Sequence, residues 1–415
     1  MRYSVFALLC AMLAGRLFAA GPGPGARLGD PVEVFKLPKS ALPPLSSMAS
    51  LVRLSPDGSR AMLLRLARVG EGVTPHVGPV QPAEHIGPVP WDGHGIKVRY
   101  AQLALSGNVW RADGQRVLFL HPRMRDEGGF VPDYERTLSP WAMCWDLNNP
   151  QCKLCRHMRL GRSLSCTAVS YGADGKTLWT AFSDLAEQKR GGITMWSSAR
   201  KRGGKVYDRK GVSIFRLAPS PDGKRLAWIE QAIGPDKKAR PTKLELVVFD
   251  VARKKAVRRV PLDPALQSWQ QVCSPVWSAD SSSVCYDDVE LIDRDYRHVA
   301  RMWKPPAAKP VEVARDAVVV GVTSAGFVLN GKPISSPDAQ SRRVGASPHV
   351  RHRTMDAVVL HTPAGLQTLV PDAYAQQADG NRIVYATISG DDVLIMTVRL
   401  TGPSRTKRPG TTKQK

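Results

Sequence analysis

The chain of 415 residues lacks the local motifs that identify several large enzyme classes. It contains no G-x-S-x-G, which places a serine on the strained turn of α/β-hydrolases, no G-x-x-x-x-G-K-[ST] phosphate loop and no H-E-x-x-H zinc motif. These absences exclude enzymes that one contiguous segment identifies. An active site assembled from separate parts of the chain leaves no such signature, so enzymes of that kind stay open.

Long apolar runs are lacking beyond the N-terminus. Residues 1–20 combine a basic Arg2, an apolar run from Ser4 to Gly15 and small residues at the end, which is the pattern of a signal peptide. The run is too short for a hydrocarbon layer of ~30 Å, which needs about 20 apolar residues. We therefore expect an exported protein, periplasmic or secreted, without a transmembrane span in the mature chain. Retention of the segment as a membrane anchor is the alternative.

Cysteine is scarce, with seven in the whole chain, and Cys10 falls in the predicted signal peptide. The even number that is left favours disulfides in an oxidising compartment, more than a zinc site. The segment CWDLNNPQCKLC reads as two strands around a turn, which brings Cys144 opposite Cys155 or Cys152. The candidate disulfide residues are Cys144, Cys152, Cys155, Cys166, Cys273 and Cys285. We predict no metal and no cofactor.

Glycine and proline, by contrast, are frequent, at 35 and 33 residues, and many of them belong to an internal repeat. A small residue, Pro or Ala, Asp, Gly and a polar residue precede an apolar strand. This phrase occurs as SPDGSRAMLL at Ser55, RADGQRVLFL at Arg111, GADGKTLWTA at Gly172, SPDGKRLAWI at Ser220, SADSSSVCYD at Ser278 and QADGNRIVYA at Gln377. A double step near the end predicts a degenerate seventh copy, with Ser324-Ala325-Gly326 as its turn.

Each copy predicts a hairpin turn. Proline presets φ at the first corner, aspartate accepts hydrogen bonds from the following amides, and glycine takes the left-handed position. Seven units averaging about 54 residues fall in the range of propeller blades. In the last unit a fourth strand is missing, and the alternating segment from Pro31 to Leu37 can supply it and tie the chain ends together. A disordered leader is the alternative for that segment.

The S-P-D-G-K/S-R phrase resembles the WD-like repeats of the TolB-type β-propeller superfamily. The resemblance covers about residues 45–400 and implies an all-β propeller of four-stranded blades. The seven units counted in the sequence predict seven blades, with six or eight as alternatives. The first turn falls too early for the N-terminal domain of TolB, and no prolyl-oligopeptidase hydrolase domain is present. We expect a signal peptide (1–20), one propeller domain (21–400) and a basic disordered tail (401–415).

Residues 69–97 are the least blade-like part of the sequence and are predicted to be an insert in the first blade. Long inserts project from one face of a propeller and often carry binding function. Trp91, Asp92 and His94 are therefore candidate binding residues. The alternative is an irregular surface loop.

Acidic residues are outnumbered, at 36 against 59 Lys and Arg, which leaves a net charge of +23. The excess lies in three runs, at residues 200–210, 237–243 and 253–259. They are assigned to loops and hairpin turns of the third and fourth units and can form one patch for an anionic partner. A solubilising surface is the alternative. Nucleic acid is not expected, because the runs lack interleaved aromatics and the chain is predicted to be exported. The candidate residues are Arg200, Lys201, Arg202, Lys237, Lys238, Arg253, Lys254 and Lys255.

These observations favour a monomeric binding or scaffolding module of the cell envelope, with a protein partner of acidic character. A hydrolase or lyase with its site at the central channel mouth is one alternative. A binder of anionic polysaccharide is the other.

Overall fold

The computed structural model describes residues 27–38, 40, 52–66, 73–81, 86–88, 109–111, 113–123, 139–146, 155–156, 165–184, 190–196, 204–233, 243–263, 275–292, 295–331 and 357–401. Within these ranges the chain is all-β and forms 28 strands. No helix in this part of the chain has the length and apolarity needed to cross a bilayer.

The strands form seven antiparallel sheets, numbered here as sheets 1 to 7. The first two strands, β1 (Arg27–Leu28) and β2 (Val32–Pro38), belong to sheet 7. Sheet 1 comprises β3 (Val52–Leu54), β4 (Arg60–Leu66), β5 (Val73–Pro79) and β6 (Gly87–Pro88). Sheet 2 comprises β7 (Arg116–Arg123), β8 (Ser139–Asp146) and β9 (Cys155–Arg156).

In the next two sheets every strand has seven or eight residues. Sheet 3 comprises β10 (Ser165–Tyr171), β11 (Leu178–Asp184), β12 (Arg190–Trp196) and β13 (Gly204–Lys210). Sheet 4 comprises β14 (Val212–Pro219), β15 (Arg225–Ala232), β16 (Leu244–Asp250) and β17 (Lys255–Leu262).

The remaining sheets complete the chain. Sheet 5 comprises β18 (Val276–Trp277), β19 (Val284–Ile292), β20 (Asp295–Trp303) and β21 (Val311–Arg315). Sheet 6 comprises β22 (Val318–Val322), β23 (Phe327–Gly331), β24 (Ala357–Thr362) and β25 (Gly365–Pro371). Sheet 7 adds β26 (Ala373–Asp379), β27 (Arg382–Ser389) and β28 (Asp392–Thr401).

The sheets are arranged in a ring. In sheets 3 to 7 the first strand contacts the first strand of the next sheet, and β26 of sheet 7 contacts β3 of sheet 1. Contacts of β7 and β8 with β10 join sheet 2 to sheet 3. Trp110 forms an isolated bridge to Val117 of β7 and so marks a fourth strand position in sheet 2. The prediction of a β-propeller with four-stranded blades is confirmed, and six of the sheets have at least four strands.

The N-terminal strand closes the ring. β2 pairs with β28 in the register Val32↔Thr397 to Pro38↔Asp392, so this N-terminal segment is an outer strand of the last sheet. The alternating burial of Phe35 and Leu37 explains the pairing, because both side chains pack into the core while their neighbours face solvent. The prediction that this segment supplies the missing strand is confirmed.

The repeated phrase forms the hairpin turn between the first two strands of a sheet. In sheet 4, Gly223 N donates to Ser220 O (2.9 Å), Ser220 Oγ donates to Asp222 Oδ1 (2.6 Å), and Gly223 has φ 69°. Ser281 takes the glycine position in sheet 5 with φ 60°. The predicted degenerate turn is confirmed, since residues 323–326 join β22 and β23.

The last residue of the phrase, arginine, ties one turn to the next. Arg60 donates to Gly114 O (3.1 Å), Arg225 to Ser281 O (3.5 Å) and Arg382 to Ser55 O (3.0 Å). Each contact runs from one sheet to the turn of the following sheet, and the last one crosses the closure of the ring. The phrase therefore carries information about neighbouring sheets as well as about its own turn.

Two tryptophans make a second repeated contact between sheets. Trp110 Nε1 donates to Arg53 O (3.0 Å), and Trp277 Nε1 donates to Ala218 O (3.1 Å). Both acceptors lie two residues before the serine of a turn phrase. The indole satisfies its only donor and packs its ring between two inner strands at the same time.

Two ends of the ring can be distinguished because the strands alternate in direction. We call the end that carries the turns at residues 55–58, 220–223 and 278–281 the turn end, and the opposite one the connection end. Segments 89–108, 124–138, 233–243, 263–275 and 332–356 all join strands at the connection end. At the turn end, several crossings are hairpins of a few residues, such as 251–254 and 363–364.

The predicted insert at residues 69–97 requires correction. Val73–Pro79 and Gly87–Pro88 are the third and fourth strands of sheet 1, and His76 pairs with Leu63 and Pro88 within it. The proline and glycine content concealed these strands, because both residues are depleted in strands.

Candidate functional site

The ring axis is surrounded by the first strands of the sheets. Their half-exposed side chains include Arg53 of sheet 1, Thr167 of sheet 3, Ser213 and Phe215 of sheet 4, Val276 of sheet 5, Val320 of sheet 6 and Tyr374 of sheet 7. This wall is a mixture of apolar, hydroxyl and cationic groups. Arg53 donates to Val52 O (3.1 Å) and to Gln376 O, so its guanidinium is held across the closure between sheets 1 and 7.

Arg216 is a backbone outlier on the inner strand of sheet 4. It is buried, it has φ 61°, and the register of β14 shifts between Phe215 and Ala218 around it. A β-bulge re-aims side chains, and a left-handed φ at a residue other than glycine costs roughly 1–3 kcal/mol. Strain of this kind is common at functional sites. With Arg53, Arg216 is one of the two arginines in the described inner strands.

A buried ionic cluster joins sheets 3 and 4. Glu230 accepts from Tyr207 Oη (2.6 Å), Arg209 (2.5 Å) and Arg259 (2.7 Å). Arg259 also reaches Glu245 Oε2 (3.1 Å), the residue directly opposite Glu230 in the β15–β16 register. The buried carboxylates are thus neutralised by two arginines, both of which belong to segments that the sequence suggested as basic surface.

Burial and the ionic partners shift the titration of this cluster. Burial, reinforced by the hydrogen bond to Glu230, raises the pKa of Tyr207 to about 12. Burial also raises the pKa of Glu245, but the hydrogen bonds and charges of Lys243 and Arg259 outweigh it and lower the pKa overall. Tyr207 therefore stays protonated and Glu245 stays ionised at neutral pH, and both states maintain the hydrogen bonds and ion pairs of this cluster.

Sheet 5 contains a second group of buried polar side chains. Asp287 Oδ1 accepts from Val319 N (2.8 Å) in the inner strand of sheet 6. Asp288 accepts from Asp263 N (3.1 Å) and from Arg301 (3.1 Å), and burial raises its pKa. These carboxylates satisfy backbone amides of neighbouring segments. Among the described residues, no group of three metal-ligating side chains is placed to hold a metal ion.

Several predicted site residues fall outside the described ranges. They are Trp91, Asp92, His94, Arg200, Lys201, Arg202, Lys237 and Lys238, together with Cys152 and Cys273. Arg253, Lys254 and Lys255 lie in and beside the β16–β17 hairpin at the turn end, where they are exposed.

The three basic runs were predicted to form one patch, and the sheet topology separates the second run from the other two. Segment 197–203 and hairpin 251–254 join strands at the turn end. Segment 233–243 starts from Ala232 and returns at Leu244, at the connection end of the same sheet. The strand ends that flank the second run are therefore separated from those of the other two by the length of the sheet.

The strand register agrees with one of the predicted cysteine pairings. β8 and β9 do bring Cys144 opposite Cys155 in register. Cys285, a predicted disulfide residue, is buried and forms no disulfide with a described residue, and burial raises the pKa of its thiol. The other disulfides stay a prediction.

Sequence reasoning missed three lysines that share the turn end with Arg253, Lys254 and Lys255. Lys224 O accepts from Val251 N (2.9 Å) beside the β16–β17 hairpin. Lys304 and Lys309 belong to the crossing between β20 and β21 in the neighbouring sheet, and Arg258 donates to Ala308 O in that crossing. Single lysines in separate turns carry no local signal, because only the ring places them together.

No protein-family model and no curated protein matches the chain. Similar solved structures include TolB from Agrobacterium tumefaciens, at 13% identity and TM-score 0.34 over 50% of this chain and 64% of that one. Hydrazine synthase of Kuenenia stuttgartiensis is 13% identical, with TM-score 0.48 over 87% of this chain and 97% of that one. Acylaminoacyl peptidase of Pyrococcus horikoshii is 11% identical, with TM-score 0.44 over 70% of this chain and 44% of that one. The chain thus spans less than two thirds of the TolB and peptidase chains.

Proposed function

We propose that this protein is an exported, monomeric, seven-bladed propeller that binds a protein partner in the cell envelope through its connection end. The count of seven takes sheet 2, with its Trp110 bridge, as a blade. Residues 1–20 act as its signal peptide, and six or eight blades are the alternatives for the ring.

One observation carries this proposal: the two ends of the ring differ. The turn end repeats one short hairpin, with the same Ser–Asp hydrogen bond in sheets 1, 4 and 5. The connection end receives the long segments 89–108, 124–138 and 332–356. Long crossings on a rigid scaffold are the usual carriers of binding specificity. The candidates Trp91, Asp92 and His94 belong to the first of these segments.

The test compares two variants of the full chain, each with an affinity tag, by pull-down from the native envelope fraction. W91A/D92A/H94A changes the segment between sheets 1 and 2, and K254Q/K255Q is the control at the turn end. A partner that is enriched by the wild type and by the control, and reduced at least about tenfold by the triple variant, supports the proposal.

Two outcomes would overturn it. One is a wild-type eluate that contains no protein above the level captured by an unrelated tagged propeller. The other is a partner whose recovery is equal for the wild type and the triple variant, provided that circular dichroism shows both folded.

A second candidate function is an enzyme, a hydrolase or lyase, with its site at the channel mouth. The strained backbone of Arg216 on the inner strand favours it, because such strain is otherwise costly. An anionic oligosaccharide probe tests it together with the polysaccharide-binding alternative. Chain shortening that is lost in R53A supports the enzyme, and retention without cleavage supports a binder. An oligosaccharide that is neither bound nor cleaved contradicts both.

A further inference from the structure

Exposed aliphatic side chains form an arc at the turn end. Six large hydrophobic residues are strongly exposed in the described part of the chain, and four of them lie within the first three residues of an outermost strand. These lie at or near the start of the outermost strands of sheets 4 to 7, and they are Val257 (48% exposed), Val311 (54%), Leu366 (38%) and Val32 (58%). Isolated exposed apolar residues are ordinary, but recurrence on four consecutive sheets is a surface feature.

Basic side chains accompany this arc on sheets 4 and 5. Six exposed cations lie in the crossings at that end, and they are Lys224, Arg253, Lys254, Lys255, Lys304 and Lys309. Three aspartates share the surface, and each is engaged locally. Asp222 and Asp280 accept hydrogen bonds within their turns, and Asp250 accepts from Arg253 N.

The two groups are contiguous across the boundary between sheets 4 and 5. Val257 precedes Arg258, whose guanidinium donates to Ala308 O, and that carbonyl lies three residues before Val311. Glu312 beside Val311 is paired with Arg315 (2.7 Å). On sheet 7, Asp30 and Glu33 flank Val32, so the basic and apolar characters coincide on sheets 4 and 5, and Leu366 extends the apolar side chains to sheet 6.

We propose that this surface, here called the basic rim (Lys224, Arg253, Lys254, Lys255, Val257, Lys304, Lys309, Val311 and Leu366), docks the propeller on an anionic membrane surface. Aliphatic side chains with lysines beside them match the interface of a bilayer, where apolar groups enter the headgroup boundary and cations meet the phosphates. A soluble polyanion satisfies the lysines alone and leaves the valines in water.

The first and last strands of the described chain reach the same side. Arg27 pairs with Thr401 at the turn end of sheet 7. The sequence that follows Thr401 contains five basic residues and no acidic one. Membrane docking through this end leaves the connection end facing away from the lipid. The proposal does not depend on the protein-binding function and is tested with purified protein and lipid alone.

The experiment is co-sedimentation of the full mature chain with vesicles of phosphatidylcholine, with and without phosphatidylglycerol. The wild type is expected to bind the anionic vesicles and to lose binding at high salt. K254Q/K255Q is expected to weaken that binding roughly 30-fold. K36Q/K210Q removes the same charge away from the basic rim and is expected to leave binding within about twofold of the wild type.

The aliphatic half of the basic rim has its own test. V257S/V311S keeps every charge and is expected to weaken vesicle binding roughly tenfold without changing retention on heparin. A wild type that does not bind anionic vesicles overturns the proposal. So does equal loss in K254Q/K255Q and K36Q/K210Q, which would report net charge only. Heparin retention that depends on Lys254 and Lys255, without vesicle binding, would assign the surface to a soluble polyanion instead.

Discussion

Arg216 shows at the scale of one residue how the backbone and the side chain can be in conflict. Its φ of 61° lies in the left-handed region, where an L residue other than glycine is strained. The side chain is nevertheless buried in the inner strand. A glycine would relieve the backbone at this position and lose the guanidinium.

We predict that R216G is more stable than R216A by about 1 kcal/mol, because only alanine retains the steric cost of the left-handed backbone. The usual order in a strand is the opposite, and the matched pair S213G and S213A, three residues earlier in β14, is expected to show it. Urea unfolding of the four variants measures both differences. Equal stabilities of R216G and R216A would mean that the backbone relaxes to an ordinary extended conformation.

At the scale of the element, hydrogen bonds within the turn explain why the repeated motif contains serine and aspartate. Ser278 Oγ donates to Asp280 Oδ1 (2.6 Å), Ser282 N donates to the same oxygen (3.0 Å), and Ser283 N donates to Ser278 Oγ (2.9 Å). The hydrogen bonds that Asp280 accepts from Ser278 and Ser282, led by that from Ser278, lower the pKa of Asp280 to about 2. The carboxylate is therefore bound more tightly in its ionised form in the folded state.

This shift predicts a pH dependence of stability. Because the folded pKa lies below the unfolded value of about 3.9, the contribution of Asp280 is complete above that pH and is lost as the pH falls through about 2. We expect D280N to be less stable than the wild type at neutral pH and equally stable below about pH 2. Guanidinium unfolding between pH 2 and pH 7 measures the difference.

A serine variant provides the control. S278A removes the principal hydrogen-bond donor to Asp280, so the stability of this variant should depend less on pH, as that of D280N does. The double variant S278A/D280N should be only slightly less stable than either single variant. A stability difference between the wild type and D280N that stays constant at every pH would show that the hydrogen bonds, and not the charge, are responsible.

At the scale of the whole molecule, closure of the ring depends on a strand from the other end of the chain. β2 covers β28, which would otherwise be a long exposed edge. Phe35, with 4% of its surface exposed, is the residue of β2 that packs into the core opposite Ile395.

We predict that F35A loses about 3–5 kcal/mol of unfolding free energy and that amide exchange in β28 speeds up selectively. L262A is the matched variant, because Leu262 is a buried residue of the outer strand of sheet 4, which is continuous with its own sheet. That variant is expected to destabilise the protein without exposing β28. Unchanged exchange in β28 of F35A would show that closure does not depend on this anchor.

The features of the fold that depend on short stretches of sequence were the predictable ones. The turn phrase, its degenerate copy at residues 323–326 and the closing segment at Pro31 to Leu37 were predictable from the sequence, because each rests on local rules of turn chemistry and alternation. The strands at Val73–Pro79 and Gly87–Pro88 were missed, since their residues favour loops and only pairing with β4 makes them strands.

The candidate surfaces were less predictable. The arginines at 209 and 259 counted as surface charge in the sequence, yet Glu230 and Glu245 from other strands neutralise them. Lys304 and Lys309, unremarkable in the sequence, lie beside the hairpin of the preceding sheet. Charge pairing depends on distances of a few ångströms between residues far apart in the chain, and no sequence window contains that information.

By itself, therefore, the sequence determined an all-β ring of repeated hairpins and the means of its closure, because both follow from periodicity and from the backbone preferences of a few residue types. The tertiary structure alone decided which charges are free at the surface and at which end of the ring each run emerges. In a ring, residues that act together come from different sheets, and their proximity is a property of the packing.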